Sequence, residues 1–340
     1  MKKALIIGPL GQDNIFLSKF LLEKKYIVFR LIPLFGNETD KPLYQGEIIK
    51  TYYSDMLQHE KIKAIIQDIN PNELYYLDSQ KREEKLSLYQ EMIFDAVGVL
   101  NFLEAARSLK TCRIFLASSA ELFGLAQEIP QVENSMFYPR SQYAIAKLYG
   151  FLIMKNYRES YGMFCSNGIL YNHESEQRDE SFVTRKISLA ASRIALGKQD
   201  KLFLGNLNAH RDWGYAGDYV DCMWRTLQAD KPDDYIIATG KQHTVREFCQ
   251  KAFKEVGIEL EFKGTGSEEK GYNKHTGECL VEVSSDFFIP ADIETLVGNP
   301  QKAQEKLGWN PQETSFDEMI KIMVKKDIKN ERQTKNGGMI

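Results

Sequence analysis

The first half of the chain alternates short apolar runs with amphipathic stretches, and this alternation constrains the fold more than any other feature. The predicted strands are residues 3–8, 27–32, 48–53, 73–77 and 113–117, and the predicted helices between them are residues 14–24, 58–68 and 87–109. This order is typical of βαβ units with a parallel sheet, whose strand carboxyl ends share one ligand-binding edge.

The second half is more mixed after its first helix and strand. Helices are predicted at residues 139–159, 182–196, 217–228, 245–256, 300–307 and 316–326, a strand at 164–171 and an exposed loop at 264–277. We therefore predict an α/β fold: a Rossmann-like doubly wound parallel sheet with a smaller mixed α/β substrate-binding domain. The expected dinucleotide-binding domain is 1–171, the substrate domain is mainly 172–328 with segments near 210–240 returning to the first, and 329–340 is a flexible tail.

Composition excludes several classes of partner. The formal net charge is -3 without a long basic run, so we expect no nucleic-acid partner. The apolar run 4–10 is short and contains Gly8 and Pro9, and no later run has the length of a membrane span. Five dispersed cysteines and isolated histidines predict neither disulfides nor a metal site. These features favour a cytoplasmic protein without membrane contact.

A glycine-containing turn follows the first predicted strand. Gly8 can form the tight turn, Gly11 lets the backbone approach a pyrophosphate, and the next helix offers N–H donors at its positive end. Taken alone, this spacing also fits a plain strand-to-helix turn. The second strand ends without an acid and contains only Arg30, so its residues do not choose between NAD and NADP.

Tyr143 and Lys147 lie one helical turn apart, so the ammonium can lower the pKa of the phenol and make it a base. Ser119 follows the strand predicted at 113–117 and could hydrogen-bond the same substrate oxygen. The order of serine, tyrosine and lysine is the short-chain dehydrogenase pattern, although a YxxxK pair alone also fits a solvated helix face. Glu121 could remove a proton beside a new ketone and start loss of water, or be an exposed loop acid.

Together these residues resemble the GDP-mannose 4,6-dehydratase family over most of the chain. The segments that carry the resemblance are SSAELFG (118–124), YPRSQYAIAKLY (138–149), NGILYNHES (167–175), SFVTRKI (181–187), GNLNAHRDWGYAGDYVDCMW (205–224), PDDYIIATG (232–240), EKGYN (269–273) and GNPQKAQEKLGW (298–309). The resemblance implies a lyase of the extended short-chain dehydrogenase type that makes a GDP-4-keto-6-deoxy sugar by internal hydride transfer and water elimination.

The resemblance also implies a set of site residues, with NADP as cofactor (NAD as the alternative), a GDP-sugar as substrate and a homodimer or homotetramer. The implied catalytic residues are Ser119, Glu121, Tyr143 and Lys147. The implied cofactor contacts are Gly8, Gly11, Gln12, Asp13, Arg30, Asp55, Met56, Leu77, Gln80, Tyr143, Lys147, His173 and Arg178. The implied substrate contacts are Lys81, Ser119, Glu121, Asn172, Val183, Lys186 and Arg211.

Several positions depart from the family pattern. Asn14 stands where a third glycine is usual, and residues 33–34 are Pro-Leu where an arginine pair is usual. The loop that follows the fourth strand contains Asp78 and Lys81 in place of small residues, and Ile289 replaces an arginine. These departures concern the cofactor and the sugar rather than the catalytic set.

Three alternatives follow from these departures. Lys81 and Ile289 would suit the same chemistry on another GDP-sugar, such as a GDP-manno-heptose. A C4 dehydrogenase or epimerase would not use Glu121 for elimination. A homologue that binds without turnover, impaired in its cofactor site, would explain Asn14 and Asp78.

Overall fold

The computed structural model describes residues 1–34, 49–77, 88–284, 287 and 296–336. The strands are β1 (Lys3–Ile7), β2 (Ile27–Leu34), β3 (Lys50–Asp55), β4 (Glu73–Tyr76), β5 (Arg113–Ser119), β6 (Phe164–Leu170), β7 (Asn172–Glu174), β8 (Leu202–Leu204), β9 (His210–Arg211), β10 (Trp213–Tyr215), β11 (Asp234–Ile237), β12 (His243–Thr244), β13 (Leu260–Lys263), β14 (Lys270–Asn273) and β15 (Cys279–Val283). The helices are α1 (Gln12–Glu23), α2 (His59–Ile69), α3 (Leu88–Met92), α4 (Val99–Ala106), α5 (Gln142–Tyr161), α6 (Val183–Ala195), α7 (Ala216–Thr226), α8 (Val245–Glu255), α9 (Gln301–Leu307) and α10 (Phe316–Asn336).

Seven parallel strands form the large sheet in the order β3-β2-β1-β4-β5-β6-β11. The chain adds β2 and β3 on one side of β1 and then continues with β4 on the other side. In doubly wound folds, a ligand-binding crevice opens at this switch in strand order. Ile7 pairs with Leu31 on one side and with Tyr76 on the other, so β1, β2 and β4 end at the same edge. This topology confirms the predicted Rossmann-like sheet.

Helices cover both faces of this sheet because each presents an apolar stripe to it. On one face, α2 buries Ile62, Ile65, Ile66 and Ile69 at helical spacing against the strands. On the other face, α1 and α7 pack around Phe115, and Trp309 closes the same cluster. Burying one such large apolar side chain stabilises a fold by roughly 1.5–3 kcal/mol.

A second, smaller sheet has the order β13-β14-β15-β8 and packs with α6, α8 and α10 around its own apolar cluster. Two short strand pairs, β7 with β10 and β9 with β12, belong to neither of these sheets. Strand β11 is part of the large sheet and helix α7 packs against it, although both follow β8 in sequence.

Three predictions of secondary structure were wrong. The loop predicted at 264–277 contains strand β14, because its polar residues pair with β13 and β15 while Gly271 lies buried against Phe262 and Val281. The helix predicted at 87–109 is interrupted by a π-helical turn, Ile93–Gly98. The last helix ends at Asn336 rather than at residue 326, because Asp327 and Glu331 pair with α6 and the chain just after it.

Within the described ranges, no helix has both the length and the apolar character to cross a membrane. All five cysteines carry free thiols. The described residues also contain no cluster of three or more histidine, cysteine or acidic side chains that could hold a metal ion.

Candidate active site

One cleft lies at the edge where β1, β4, β5 and β6 end. Ten residues predicted from the sequence line it: Gly11, Gln12, Asp13, Leu77, Ser119, Glu121, Tyr143, Asn172, His173 and Arg178. It is also lined by residues that were not predicted as contacts: Pro9, Asn14, Ser118, Ala120, Leu170, Tyr171, Phe182 and Leu296. Tyr143 and Glu121 therefore line the same cleft.

The turn after β1 forms the floor of this cleft. Gly8 has φ +150°, and a Cβ at this position would lie 3.1 Å from the Cβ of Leu77, so a side chain would be strained and crowded. A Cβ at Gly11 would meet no atom within 4 Å. Helix α1 starts immediately after Gly11, and Gln12, Asp13 and Asn14 of its first turn line the cleft, so the positive end of the helix lies at the cleft. This arrangement fits a diphosphate.

Asn14 fills the place where a third glycine was expected, and its side chain secures the turn. Its Nδ2 donates to the carbonyl of Gly8 at 3.3 Å, and its Oδ1 accepts from Ser18 Oγ at 3.3 Å. Arg30 Nε in turn donates to Ser18 Oγ at 3.1 Å. Asn14 and Arg30 are both buried, so this chain of hydrogen bonds lies beneath the turn. Arg30, predicted as a cofactor contact, does not line the cleft.

Gln12, Asp13 and His173 join the first turn of α1 to strand β7. Gln12 Nε2 donates to the carbonyl of His173 at 2.7 Å, and Ser175 Oγ donates to Gln12 Oε1 at 2.8 Å. His173 Nε2 lies 3.0 Å from both carboxylate oxygens of Asp13. Two segments that are distant in sequence thus form one wall of the cleft.

The surroundings of His173 favour its charged form. Nδ1 faces the carbonyl of Tyr171 at 2.9 Å and Nε2 faces the Asp13 carboxylate, so both ring nitrogens meet acceptors and both carry hydrogen. Burial disfavours the charges, but the attraction between the two groups raises the pKa of His173 and lowers the pKa of Asp13. The imidazolium ring also stacks on Tyr219, with centroids 4.8 Å apart.

Arg178 is the second cation of this wall. Its guanidinium lies 3.5 Å from the ring centroid of Phe182, and its Nε lies 3.3 Å from Glu174 Oε2. Thr184 Oγ1 donates to the same carboxylate oxygen at 2.5 Å. The histidine and arginine charges are therefore each balanced by a neighbouring acid.

The opposite wall holds the predicted catalytic residues at the end of β5. Ser119 Oγ accepts from the backbone N–H of Glu121 at 3.2 Å and so shapes the short 3₁₀ turn Ala120–Leu122. Ser141 Oγ donates to Glu121 Oε2 at 3.1 Å and also accepts from the N–H of Ala144 as the N-cap of α5. One serine therefore ties the Glu121 carboxylate to the first turn of the helix that carries Tyr143.

Lys147 lies behind the cleft surface and is only 2% exposed. Its Nζ is 2.8 Å from Asp95 Oδ1, 3.2 Å from the carbonyl of Ala117 and 5.7 Å from the ring centroid of Tyr143. Asp95, which the sequence reasoning missed, is 1% exposed. Its one visible signal is an isolated acid within the apolar stretch that follows Met92.

The remaining predicted contacts lie elsewhere. Met56 is buried in the core beneath the large sheet, and Asp55 Oδ1 accepts from the N–H of Leu57. Lys186 Nζ lies 4.3 Å from the ring centroid of Phe287 in a neighbouring pocket. Val183 packs against the apolar cluster of the smaller sheet. Gln80, Lys81, Asp78 and Ile289 fall outside the described residues.

Arg211 is positioned by its neighbour Asp212. The buried Asp212 carboxylate accepts from the N–H and hydroxyl of Thr239 and from the N–H of Gly240, at 2.5–2.9 Å. Burial raises the pKa of Asp212 to about 6 in spite of these donors. These bonds fasten the short strand β9, which carries Arg211, to the end of β11.

Solved structures of other proteins share this fold. A dTDP-glucose 4,6-dehydratase from Bacillus anthracis superposes with a TM-score of 0.77 at 16% identity, covering 98% of each chain. The fold, the serine and tyrosine of the cleft and the lysine behind them define a protein of the extended short-chain dehydrogenase class. The family model described as GDP-mannose 4,6 dehydratase matches residues 5–323. The chain belongs to that family, as the resemblance predicted.

Curated relatives agree with this assignment. A GDP-mannose 4,6-dehydratase from Yersinia enterocolitica is 45% identical, over 98% of this chain and 95% of its own length. A GDP-mannose 4,6 dehydratase from Dictyostelium discoideum is 43% identical, over 96% of each. Similarity of this extent covers both the large sheet and the smaller one.

Proposed function

We propose that this protein is a nucleotide-sugar 4,6-dehydratase that converts GDP-mannose to a GDP-4-keto-6-deoxy sugar. The observation that carries the proposal is the shared cleft of Glu121, Ser119 and Tyr143, with Lys147 buried behind the phenol. Oxidation of a hydroxyl needs one base, and elimination of water needs a second acid–base group close by. The cleft offers one of each.

Tyr143 is the base of the first step and takes the proton of the C4 hydroxyl. Ser119, at the end of β5, offers its hydroxyl to the same oxygen and orients it. Lys147 places a positive charge close to the phenol, which favours the phenolate. These three residues come from β5 and α5, whose packing fixes their mutual positions.

Glu121 carries out the elimination. Once C4 is a ketone, the proton on C5 is acidic, and the Glu121 carboxylate removes it. The same carboxyl group then gives that proton to the departing C6 hydroxyl, so that water leaves. The hydrogen bond from Ser141 holds the carboxylate toward the cleft during both transfers.

A bound nicotinamide dinucleotide would supply the hydride exchange, which oxidises C4 first and reduces C6 last with no net redox change. The proton that C5 regains in the last step balances the one that Tyr143 took from the C4 hydroxyl. The open position at Gly11 and the free N-terminal N–H groups of α1 fit its diphosphate. We propose NADP, with NAD as the alternative, because the family resemblance implies it; Arg30 does not line the cleft and gives no ground for the choice. Titration of the purified protein with each dinucleotide, followed by calorimetry, tests this preference.

For the GDP end of the substrate we propose Asn172, Val183, Lys186 and Arg211. Asn172 lines the cleft, and α6 begins with Val183 directly after Phe182, which also lines it. Lys186 and Arg211 supply cations that suit a diphosphate. We propose accordingly that the region around the smaller sheet is the substrate-binding part.

The test is incubation with GDP-mannose and either dinucleotide, read by mass spectrometry as loss of one water. The wild-type protein should form the product, Tyr143→Phe should lose about 10³-fold in rate, and Tyr161→Phe at the far end of the same helix should keep wild-type turnover. A panel that includes a GDP-manno-heptose defines the sugar. Absence of product from every sugar with either dinucleotide would reject the proposed function.

For assembly we propose a homodimer or homotetramer that uses the exposed side of α5. Ile145, Tyr149 and Leu152 recur at helical spacing on this side and are 51%, 41% and 52% exposed. Ile145→Glu should lower the molar mass measured by light scattering.

We also propose a cytoplasmic location, which the five free thiols support.

A further inference from the structure

The mechanism assigns a charge to Lys147 but leaves open what keeps that charge in place. Lys147 and Asp95 form a buried pair with an Nζ–Oδ1 distance of 2.8 Å and side chains 2% and 0% exposed. A carboxylate at this distance favours the ammonium form, whereas a buried ammonium without one tends to lose its proton. The protonation state of Lys147 therefore depends on Asp95, which is not among the residues that line the cleft.

The backbone is shaped to make this contact. Asp95 lies in the π-helical turn Ile93–Gly98, a local widening that often occurs at functional sites. A Cβ at Gly150 would lie 3.0 Å from the carbonyl oxygen of Asp95, so the glycine lets α5 approach the turn closely. Lys147 and Gly150 are three residues apart and share one face of α5.

Among the described residues, the titratable groups of Tyr76 and Glu121 do not replace the Asp95 carboxylate. Tyr76, on β4, donates its hydroxyl to the carbonyl of Phe94 at 2.7 Å, and burial, together with the Asp95 charge, raises its pKa well above the usual value. Tyr76 therefore stays neutral. The Glu121 carboxylate lies at the start of α5 and is held there by Ser141.

We propose that Asp95 is a positioning residue that keeps Lys147 protonated and thereby keeps Tyr143 able to act as a base. This inference rests on the proposed role of Tyr143 in the reaction. Asp95 does not line the cleft, and in this proposal it acts through Lys147.

The first experiment compares Asp95→Asn with the wild-type protein. Ionisation of Tyr143 is followed by ultraviolet difference titration against the matching Tyr143→Phe protein, which isolates one phenol among the 17 tyrosines. Its midpoint should rise by about one pH unit or more in Asp95→Asn. The apparent pKa of the acid limb of the pH profile of kcat should rise by a similar amount, while KM for the sugar stays within about twofold.

Asp327→Asn is a matched control. Asp327 is also fully buried and pairs with a cation, Arg185, but the pair joins α6 to α10 away from the cleft. This variant should lose a comparable amount of thermal stability and keep the wild-type Tyr143 titration. A shift in both variants would show that the titration reports general loosening, and would overturn the proposal.

A double variant covers the case in which Asp95→Asn fails to fold. Asp95→Asn/Lys147→Gln buries no net charge, and its Tyr143 midpoint should equal that of Lys147→Gln alone. A difference between these two, or an unchanged or lowered midpoint in folded Asp95→Asn, overturns the proposal. The titration uses no sugar, so a shifted midpoint in a protein without dehydratase activity would sink the proposed function and leave the Asp95–Lys147–Tyr143 coupling established.

Discussion

The two walls of the cleft hold their polar groups in different ways. On the catalytic wall, Ser141 donates to the Glu121 carboxylate, Asp95 pairs with Lys147, and Glu121 and Tyr143 line the cleft. On the wall formed by α1 and β7, the charged groups face one another. There, His173 is paired with Asp13, with both ring nitrogens already bonded.

This difference indicates that the two walls have different roles. On the α1–β7 wall most side-chain charge is balanced internally, so a diphosphate would be held mainly by the backbone N–H groups of the first turn of α1. The catalytic wall brings a carboxylate and a phenol to the cleft, and these are the groups that the proposed reaction uses for proton transfer. Substitutions on the first wall should change stability and affinity, and those on the second should change rate.

The largest effect is expected for Glu121→Gln on the catalytic wall. The amide cannot accept the C5 proton, so formation of the 4-keto-6-deoxy product should fall about 10³-fold. Oxidation at C4 does not need this carboxylate and should persist, seen as the absorbance of reduced dinucleotide. An equal loss of both signals would show that Glu121 serves oxidation or folding instead. Glu128→Gln, farther along the same loop, is the control.

His173→Gln on the opposite wall should act on stability in a pH-dependent manner. The raised pKa of His173 stabilises the fold below its unfolded value, about 6.5, and this contribution is lost as pH rises through the folded pKa. The lowered pKa of Asp13 stabilises the fold above about 4, and this contribution is lost as pH falls through its folded pKa. The free energy of unfolding should therefore drop most, by about 3 kcal/mol, between roughly pH 4 and 6.5.

Denaturant unfolding of both proteins from pH 4 to 9 measures this difference. Asp13→Asn should show the same window, because it breaks the same pair from the other side. A difference that stays constant across the whole range would mean that folding does not shift the pKa values of His173 and Asp13. The prediction would then fail even if the substitution were destabilising.

Sequence alone was sufficient where function depends on local spacing. Tyr143 and Lys147 are four residues apart on one helix, and Ser119 and Glu121 follow directly from the end of β5, so a correct strand and helix assignment brings them together. The turn at Gly8 and Gly11 is local in the same sense. The family resemblance then supplied the order of these pieces around the cleft.

Sequence was insufficient where a residue's role depends on tertiary contacts. Asp95 could not be paired with Lys147 without the π-helical turn and the close approach at Gly150. Strand β14 looks like a polar loop until β13 and β15 lie on either side of it. His173 was assigned to the cofactor side from the resemblance, but its partner Asp13 was visible only once α1 and β7 were adjacent.

A smaller effect is expected for Ser141→Ala, because this serine acts on Glu121 only indirectly. Loss of its hydrogen bond frees the carboxylate and should lower kcat about tenfold with KM nearly unchanged. Loss of the N-cap should also cost about 1 kcal/mol of stability. Ser141→Thr keeps both bonds and should retain near wild-type values. If Ser141→Thr loses as much rate as Ser141→Ala, the hydroxyl is not what positions Glu121.

Asn14→Gly should have the smallest effect and tests whether the departure from the third glycine impairs the α1 wall. The substitution removes the hydrogen bonds to Gly8 and Ser18 and lowers helix propensity, so stability should fall by about 1 kcal/mol. Dinucleotide affinity should change less than about threefold, because Asn14 takes over the structural role of the glycine rather than blocking the diphosphate. Calorimetric titration of both proteins decides the point. A tenfold gain in affinity for Asn14→Gly would show instead that Asn14 obstructs the cofactor, and would reopen the case for a homologue that binds without turnover.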